Sequence, residues 1–150
     1  MSDMVRRHGA EAERNILGCV LLNGRNAWLS IADTLTAADF STPEHRDIID
    51  AILTLDVEGE PIDVETVTTQ GERNGHQTRK LYLLELVAGS GCVPSDLPMQ
   101  VKLLQEAASQ RRIEQAHAAM GAAIGGDGTP AEIVEQYTRT LLDLNNTMRR

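Results

Sequence analysis

The chain has 150 residues, of which 41% are hydrophobic and 3% are aromatic, and its formal net charge is −8. This length indicates a single domain, and the shortage of aromatic side chains predicts a core of Leu, Ile, Val, Ala and Met, as in packed helices. No run reaches the roughly 18 apolar residues of a membrane span, and no secretory signal pattern is present, so we expect a cytoplasmic protein.

The negative charge is concentrated in residues 39–65, which contain nine acidic side chains and a single basic one, Arg46. Acidic and basic side chains balance in the remainder of the chain. Nucleic-acid binding requires Lys and Arg to displace counterions from phosphates, so we do not expect direct nucleic-acid binding. The acidic stretch is suited to a basic partner protein, or to solubility alone.

Helical spacing and helix-end signals recur along the chain, and no segment alternates like a strand. Residues 1–10 are predicted to be a flexible arm. Residues 11–91 are predicted to form a compact head of five or six short helices. The predicted helices of the head are residues 11–22, 26–35, 43–58, a segment that follows Asp63 and stops near Gly75, and 79–87.

The character of the sequence changes after Gly91, where residues 92–150 predict a long antiparallel helical hairpin. Its first helix runs from Asp96 to about Ile124, the glycine-rich segment 125–128 is a turn, and Thr129-Pro130 starts the second helix. The whole chain is therefore predicted to be all-α.

A helix of about 28 residues extends roughly 40 Å, which is longer than the head is expected to be wide. Its apolar stripe should therefore be partly uncovered, which predicts self-association through the hairpin. The predicted interface residues are Leu97, Val101, Leu104, Ala108, Ile113, Met120, Val134, Tyr137, Leu141 and Leu144.

Sequence signals for chemistry are weak. No Gly-x-x-x-x-Gly-Lys-Ser/Thr stretch occurs, so the phosphate-binding loop of an ATPase is missing from this sequence. Glu114 and His117 have the spacing of a di-iron helical bundle, although no second such pair exists. A helical-bundle metalloenzyme is therefore the alternative of another class, and a helix-turn-helix DNA-binding protein is a third. We predict no catalytic, cofactor or metal site.

The two cysteines, Cys19 and Cys92, lie far apart in the sequence, and neither belongs to a CxxC motif. Cys19 falls within an apolar helical run and is predicted to be a small buried side chain. A disulfide between the two is geometrically possible, but a cytosolic chain of this size does not need one.

Six segments, taken in order, resemble the amino-terminal domain of DnaB-type replicative DNA helicases. They are Glu11–Leu22, Asp39-Phe40, Pro43–Arg46, Pro61-Ile62-Asp63, Tyr82–Leu86 and Pro94-Ser95. Two positions depart from the family pattern. Ser41 stands where the family usually has an aromatic residue, and residues 77–80 replace a Gly-Gly pair.

The resemblance implies a non-catalytic domain that pairs through its hairpin, forms the collar of the helicase ring and docks primase or a helicase loader during DNA replication. ATP and Mg would bind only in the motor domain, which this sequence lacks, so no cofactor is expected here. The parent protein would be an ATP-dependent DNA helicase.

Two origins are open. An excised domain of a larger helicase is favoured, because the sequence stops at Arg149-Arg150, where a linker helix would begin. The alternative is a free-standing phage or plasmid relative that loads or regulates a host helicase.

Overall fold

The computed structural model describes residues 3–148, which form seven α-helices and two single-turn 3-10 helices and contain no strand. The α-helices are α1 (Asp3–Asn23), α2 (Arg25–Ile31), α3 (Pro43–Glu58), α4 (Val64–Arg73), α5 (Lys80–Gly89), α6 (Leu97–Ile124) and α7 (Pro130–Met148). The 3-10 helices are Ala37–Asp39 and Pro94–Asp96. The predicted all-α class, with five helices followed by a hairpin of two long ones, is confirmed. None of the helices within residues 3–148 combines the length and apolar character needed to cross a membrane.

Helix α1 begins at Asp3, so residues 3–10 are its first turns and not the flexible arm predicted for residues 1–10. Residues 1 and 2 lie outside the described part of the chain. Residues 3–10 are helical because α1 and α6 approach closely there. Gly9 is buried, and a Cβ atom placed on it would lie 2.3 Å from the Cβ atom of Ala107 in α6. Packing against α6 therefore overrides the low helix propensity of glycine.

The ends of the head helices follow local chemistry. Pro43 occupies the first turn of α3, where its missing N–H removes no hydrogen bond. Gly59 ends α3 with a φ of 71°, a left-handed conformation that glycine adopts without strain. The Asp63 carboxylate caps α4 by accepting the backbone N–H of Thr66 at 2.9 Å.

The core forms where α1 packs against α5 and α6, with α2 and α3 completing it. Trp28 and Phe40 are the largest fully buried side chains, and the remainder of the core is mainly aliphatic, as the composition predicts. Helix α2 ends at Ile31, earlier than the predicted residue 35, yet Leu35 still packs into the same core. The chain thus turns at residues 32–36 without leaving the interior.

Candidate interaction surfaces

The first half of α6 packs against the chain's own head. Leu97, Val101, Leu104 and Ala108 are each no more than 5% exposed, because α1 lies along this half of the helix. The Asn15 side chain also donates a hydrogen bond to Gln100 at 3.3 Å across the same contact. These four residues therefore stabilise the fold of the single chain, which corrects their assignment to a contact with a second copy. The prediction missed this cover because helical spacing shows that apolar residues share a side of α6 but not that α1 packs against that side.

The second half of the hairpin is different, because α7 contains no buried residue. Val134, Tyr137 and Leu141 are 64%, 45% and 47% exposed, and Met148 is 49% exposed. Their spacing of three, four and seven places them on one side of α7. We call these four residues the α7 stripe. It is an apolar surface of which about half is left uncovered by the described part of the chain.

The remaining predicted interface residues lie between these two extremes. Ile113 is 46% exposed on α6, and Leu144 is half-buried on α7. Met120 is only 9% exposed. The structure therefore brings the predicted residues onto one hairpin, but divides them between its inner and outer sides.

A buried chain of polar side chains joins three of the segments that carry the resemblance. Glu13 of α1 accepts a hydrogen bond from the backbone N–H of Ser41 at 3.0 Å and one from the Ser41 hydroxyl at 2.5 Å. Its carboxylate also lies 2.9 Å from Nδ1 of His45, and Nε2 of the same ring lies 2.6 Å from the Tyr82 hydroxyl. Glu13 and His45 are only 2% and 4% exposed. The serine at position 41 therefore contributes the hydroxyl hydrogen bond, which an aromatic side chain other than Tyr could not donate.

The electrostatics of these linked polar side chains favour an ionised Glu13. Burial raises the pKa of the Glu13 carboxyl, but hydrogen bonds from His45 and Ser41 outweigh it, so the pKa lies below its ordinary value of 4.5. Burial raises the pKa of the Tyr82 hydroxyl, so Tyr82 is neutral at pH 7. Glu13 and His45 are buried and bonded to each other, which supports the structural role predicted for His45.

Asp39 joins the hairpin to the head. Its carboxylate accepts a hydrogen bond from Arg112 at 2.8 Å, and its backbone carbonyl accepts one from Arg111, also at 2.8 Å. The other carboxylate oxygen accepts the backbone N–H of Thr36 at 2.9 Å. Asp39 is only 7% exposed, so these are partly desolvated, charge-assisted contacts. They fix the direction in which α6 leaves the head.

The two cysteines meet in the structure although 72 residues separate them in the sequence. Both are free thiols, Cys19 buried and Cys92 half-buried. Burial and the neighbouring Cys19 thiol, which lies within hydrogen-bonding reach, raise the pKa of Cys92 to about 12. Cys92 is therefore a protonated, weakly nucleophilic thiol at pH 7.

Glu114 and His117 do not belong to a metal-ligand group in the described chain. Glu114 is half-buried and His117 is exposed. Residues 3–148 contain one group of three potential ligands, Asp47, Asp50 and His76, whose ligand atoms lie within 4.8 Å of one another. Within it, His76 Nδ1 lies 3.4 Å from the Asp47 carboxylate, as in a surface ion pair.

Together, the head, the hairpin and the buried polar chain define an all-helical domain. Residues 5–116 match the family model described as the DnaB-like helicase N terminal domain. The chain therefore belongs to the DnaB-like helicase N-terminal domain family, which is the non-motor part of the helicase.

Two curated relatives are replicative DNA helicases DnaB. The one from Mycobacterium leprae is 39% identical over 64 residues, which are 43% of this chain and 10% of the relative. The one from Leifsonia xyli is 38% identical over 72 residues, which are 48% of this chain and 16% of the relative. This chain thus matches only a small part of each.

Solved structures agree with the assignment. The crystal structure of the N-terminal domain of DnaB helicase from Mycobacterium tuberculosis superposes with a TM-score of 0.80 at 27% identity, covering 89% of this chain and 96% of that one. A DnaB-like replicative helicase, described with its interactions with primase, gives a TM-score of 0.70 at 19% identity. It covers 90% of this chain and 30% of that protein, and at this identity it supports the fold alone.

Proposed function

We propose that this chain is a non-catalytic assembly and docking domain, which forms the collar of a DnaB-like replicative helicase ring and receives primase or a helicase loader during DNA replication. The observation that carries the proposal is the α7 stripe. Its apolar side chains project from a domain of the helicase family, and about half of their surface is exposed in the described chain.

The size of the α7 stripe indicates a weak contact. Burying the exposed half of each side chain contributes about 1 kcal/mol, and a two-fold contact uses the stripes of both copies. The resulting gain of about 8 kcal/mol is comparable with the entropic cost of association. We therefore expect self-association that depends on concentration, and a ring in which other contacts add to this one.

The proposal assigns no chemistry and no cofactor to this domain, because ATP and Mg belong to the motor of a helicase. Glu13 and His45, the two acid-base side chains that lie deepest in the head, are occupied by each other and by Ser41 and Tyr82. The strongly acidic segment 39–65 also disfavours direct contact with nucleic acid or with an anionic membrane.

Primase is the first partner to test, because a structure that shares this fold is described with its interactions with primase. A docking role requires a head that keeps its conformation when a partner protein binds to it. The buried polar chain and the Asp39 contacts supply such rigidity.

The test of assembly is the mass in solution measured by light scattering over a range of concentrations. We expect the mass to rise above that of a monomer, and Leu141→Asp to return it to the monomer value, because a carboxylate cannot be buried in an apolar contact. Leu29→Asp is a matched control, since Leu29 is 53% exposed on α2, away from the stripe.

The test of docking is sedimentation of the chain mixed with the carboxy-terminal part of a primase. A joint boundary supports the proposal. A chain that stays monomeric at high concentration and sediments separately from primase would refute it.

A further inference from the structure

Besides the α7 stripe, the chain has a second exposed apolar surface, which lies on helix α3 of the head. Leu53 and Val57 are 41% and 88% exposed, while Ile48 and Ile52 on the opposite side of the helix are buried. Residues four apart on a helix are neighbours, so the two exposed side chains form one continuous apolar strip. Val57 is the most exposed large apolar side chain among residues 3–148.

The nine acidic side chains of residues 39–65 divide into three groups. Five are paired within the chain, in the contacts Asp39–Arg112, Glu44–Arg79, Asp47–His76, Asp56–Arg25 and Glu65–Lys80. Asp63 caps α4. Asp50, Glu58 and Glu60 are left, and their carboxylates form no ion pair within residues 3–148. Asp50 precedes Leu53 by one helical turn, and Glu58, which follows Val57, is turned about 100° around the helix from it, so unpaired carboxylates lie at the amino end and along one flank of the apolar strip.

A groove adjoins the carboxyl end of this face. Its volume is about 340 Å³, and Glu58 and Glu60 lie on its wall with Leu55 and Arg73. The wall carries Glu58, Glu60 and Glu65 against one cation, Arg73, so its net charge is negative and it suits a basic side chain whose charge pairs with a carboxylate.

We propose that this acidic α3 face, made of Asp50, Leu53, Val57, Glu58 and Glu60, docks a cationic amphipathic helix of a partner protein. The apolar side of the incoming helix packs on Leu53 and Val57, and a Lys or Arg one turn away enters the groove beside Glu58. The charge complementarity determines the occupant, since three unpaired carboxylates repel nucleic acid and anionic lipid and attract a basic helix.

This surface goes beyond the self-association of the hairpin, because α3 and α7 are separate faces and each can be changed alone. The probe for α3 is a synthetic helical peptide of Leu and Lys, with Leu at every third and fourth position, labelled for fluorescence anisotropy. A peptide of the same composition in scrambled order separates amphipathic docking from simple charge attraction.

Glu58→Lys combined with Glu60→Lys is the test variant, and we expect it to weaken peptide binding at least tenfold. Glu106→Lys combined with Asp127→Lys is the matched control, because it makes the same change in net charge at exposed positions outside residues 39–65. We expect the control to change binding less than threefold. Val57→Ser should weaken binding of the ordered peptide and leave the scrambled one unchanged.

Three results would overturn the inference. They are equal losses in the two double variants, equal affinity for the two peptides, and a fall in the mass of the chain alone in the Glu58/Glu60 variant, which would make a second copy the occupant. The proposed function stands or falls separately. A chain that binds the peptide through α3 but neither self-associates nor binds primase would contradict the proposed function alone.

Discussion

Truncating Glu13 tests whether the buried polar chain holds the head together. In Glu13→Ala, His45, which is only 4% exposed, loses the hydrogen-bond partner of its Nδ1 atom. An unsatisfied buried polar group costs about 1–3 kcal/mol. Ser41 loses two hydrogen bonds, but it is exposed, so water restores part of their contribution.

The total loss follows from these parts. The Ser41 contacts add about 1 kcal/mol, and the lost methylenes of Glu13 add about 1 kcal/mol more. We therefore expect the free energy of unfolding to fall by about 3–5 kcal/mol. This is a large part of the roughly 5–15 kcal/mol that stabilises a typical domain, and it should lower Tm by on the order of 10 °C.

Urea denaturation followed by circular dichroism measures this loss. Glu11→Ala is the control, because Glu11 is exposed two residues earlier on the same helix, and it should cost less than about 0.5 kcal/mol. A Glu13→Ala loss below about 1 kcal/mol would refute the reasoning, since it would mean that the carboxylate contributes little beyond its own solvation.

Further predictions concern acid, helix packing and the hairpin. The folded-state pKa of Glu13 lies below 4.5, so its ionised form stabilises the fold above pH 4.5 and this stabilisation is lost as the pH falls through the lowered pKa. The difference in free energy of unfolding between the parent and Glu13→Gln should therefore narrow below pH 4.5, as acid titrations would measure. Gly18→Ala should cost about 1–3 kcal/mol in thermal melts, because the new Cβ would lie 2.3 Å from the Leu86 carbonyl oxygen, whereas Gly89→Ala, with nothing within 4 Å, should not destabilise the chain. Val101→Asp should unfold the domain, by at least about 3 kcal/mol, and not merely dissociate it as Leu141→Asp does; a folded, monomeric Val101→Asp chain would show that α1 does not cover α6.

The positions and types of most elements could be predicted from the sequence, because their signals are local. Thr42-Pro43, Asp63 and the glycine-rich turn before Thr129 each determine a helix end within a few residues, and the structure begins or ends helices there. The start of α1 could not be predicted in this way. Gly9 lowers helix propensity locally, and only the Cβ atom of Ala107 in a distant helix explains why a glycine belongs there.

The candidate surfaces were predictable only in part, for a related reason. A helical spacing shows that apolar residues share a side of a helix, but it does not show which neighbour covers that side. Leu104 and Leu141 have the same pattern, yet α1 covers the former and no described residue buries the latter. The link between Glu13, His45 and Tyr82 was equally hidden, since it joins three segments that the sequence presents separately.

The lack of a buried residue in α7 has a consequence for how readily proteases cleave the protein. An isolated helix of 19 residues is barely stable in water, and α7 packs mainly against α6 without a buried residue, so a partner that covers the α7 stripe would stabilise it further. When no partner covers the α7 stripe, the last turns of α7 unwind more often, and a protease can cleave the unwound segment. If copies assemble through the α7 stripe as proposed, a protease should cleave α7 more slowly in the assembled state than in the monomer.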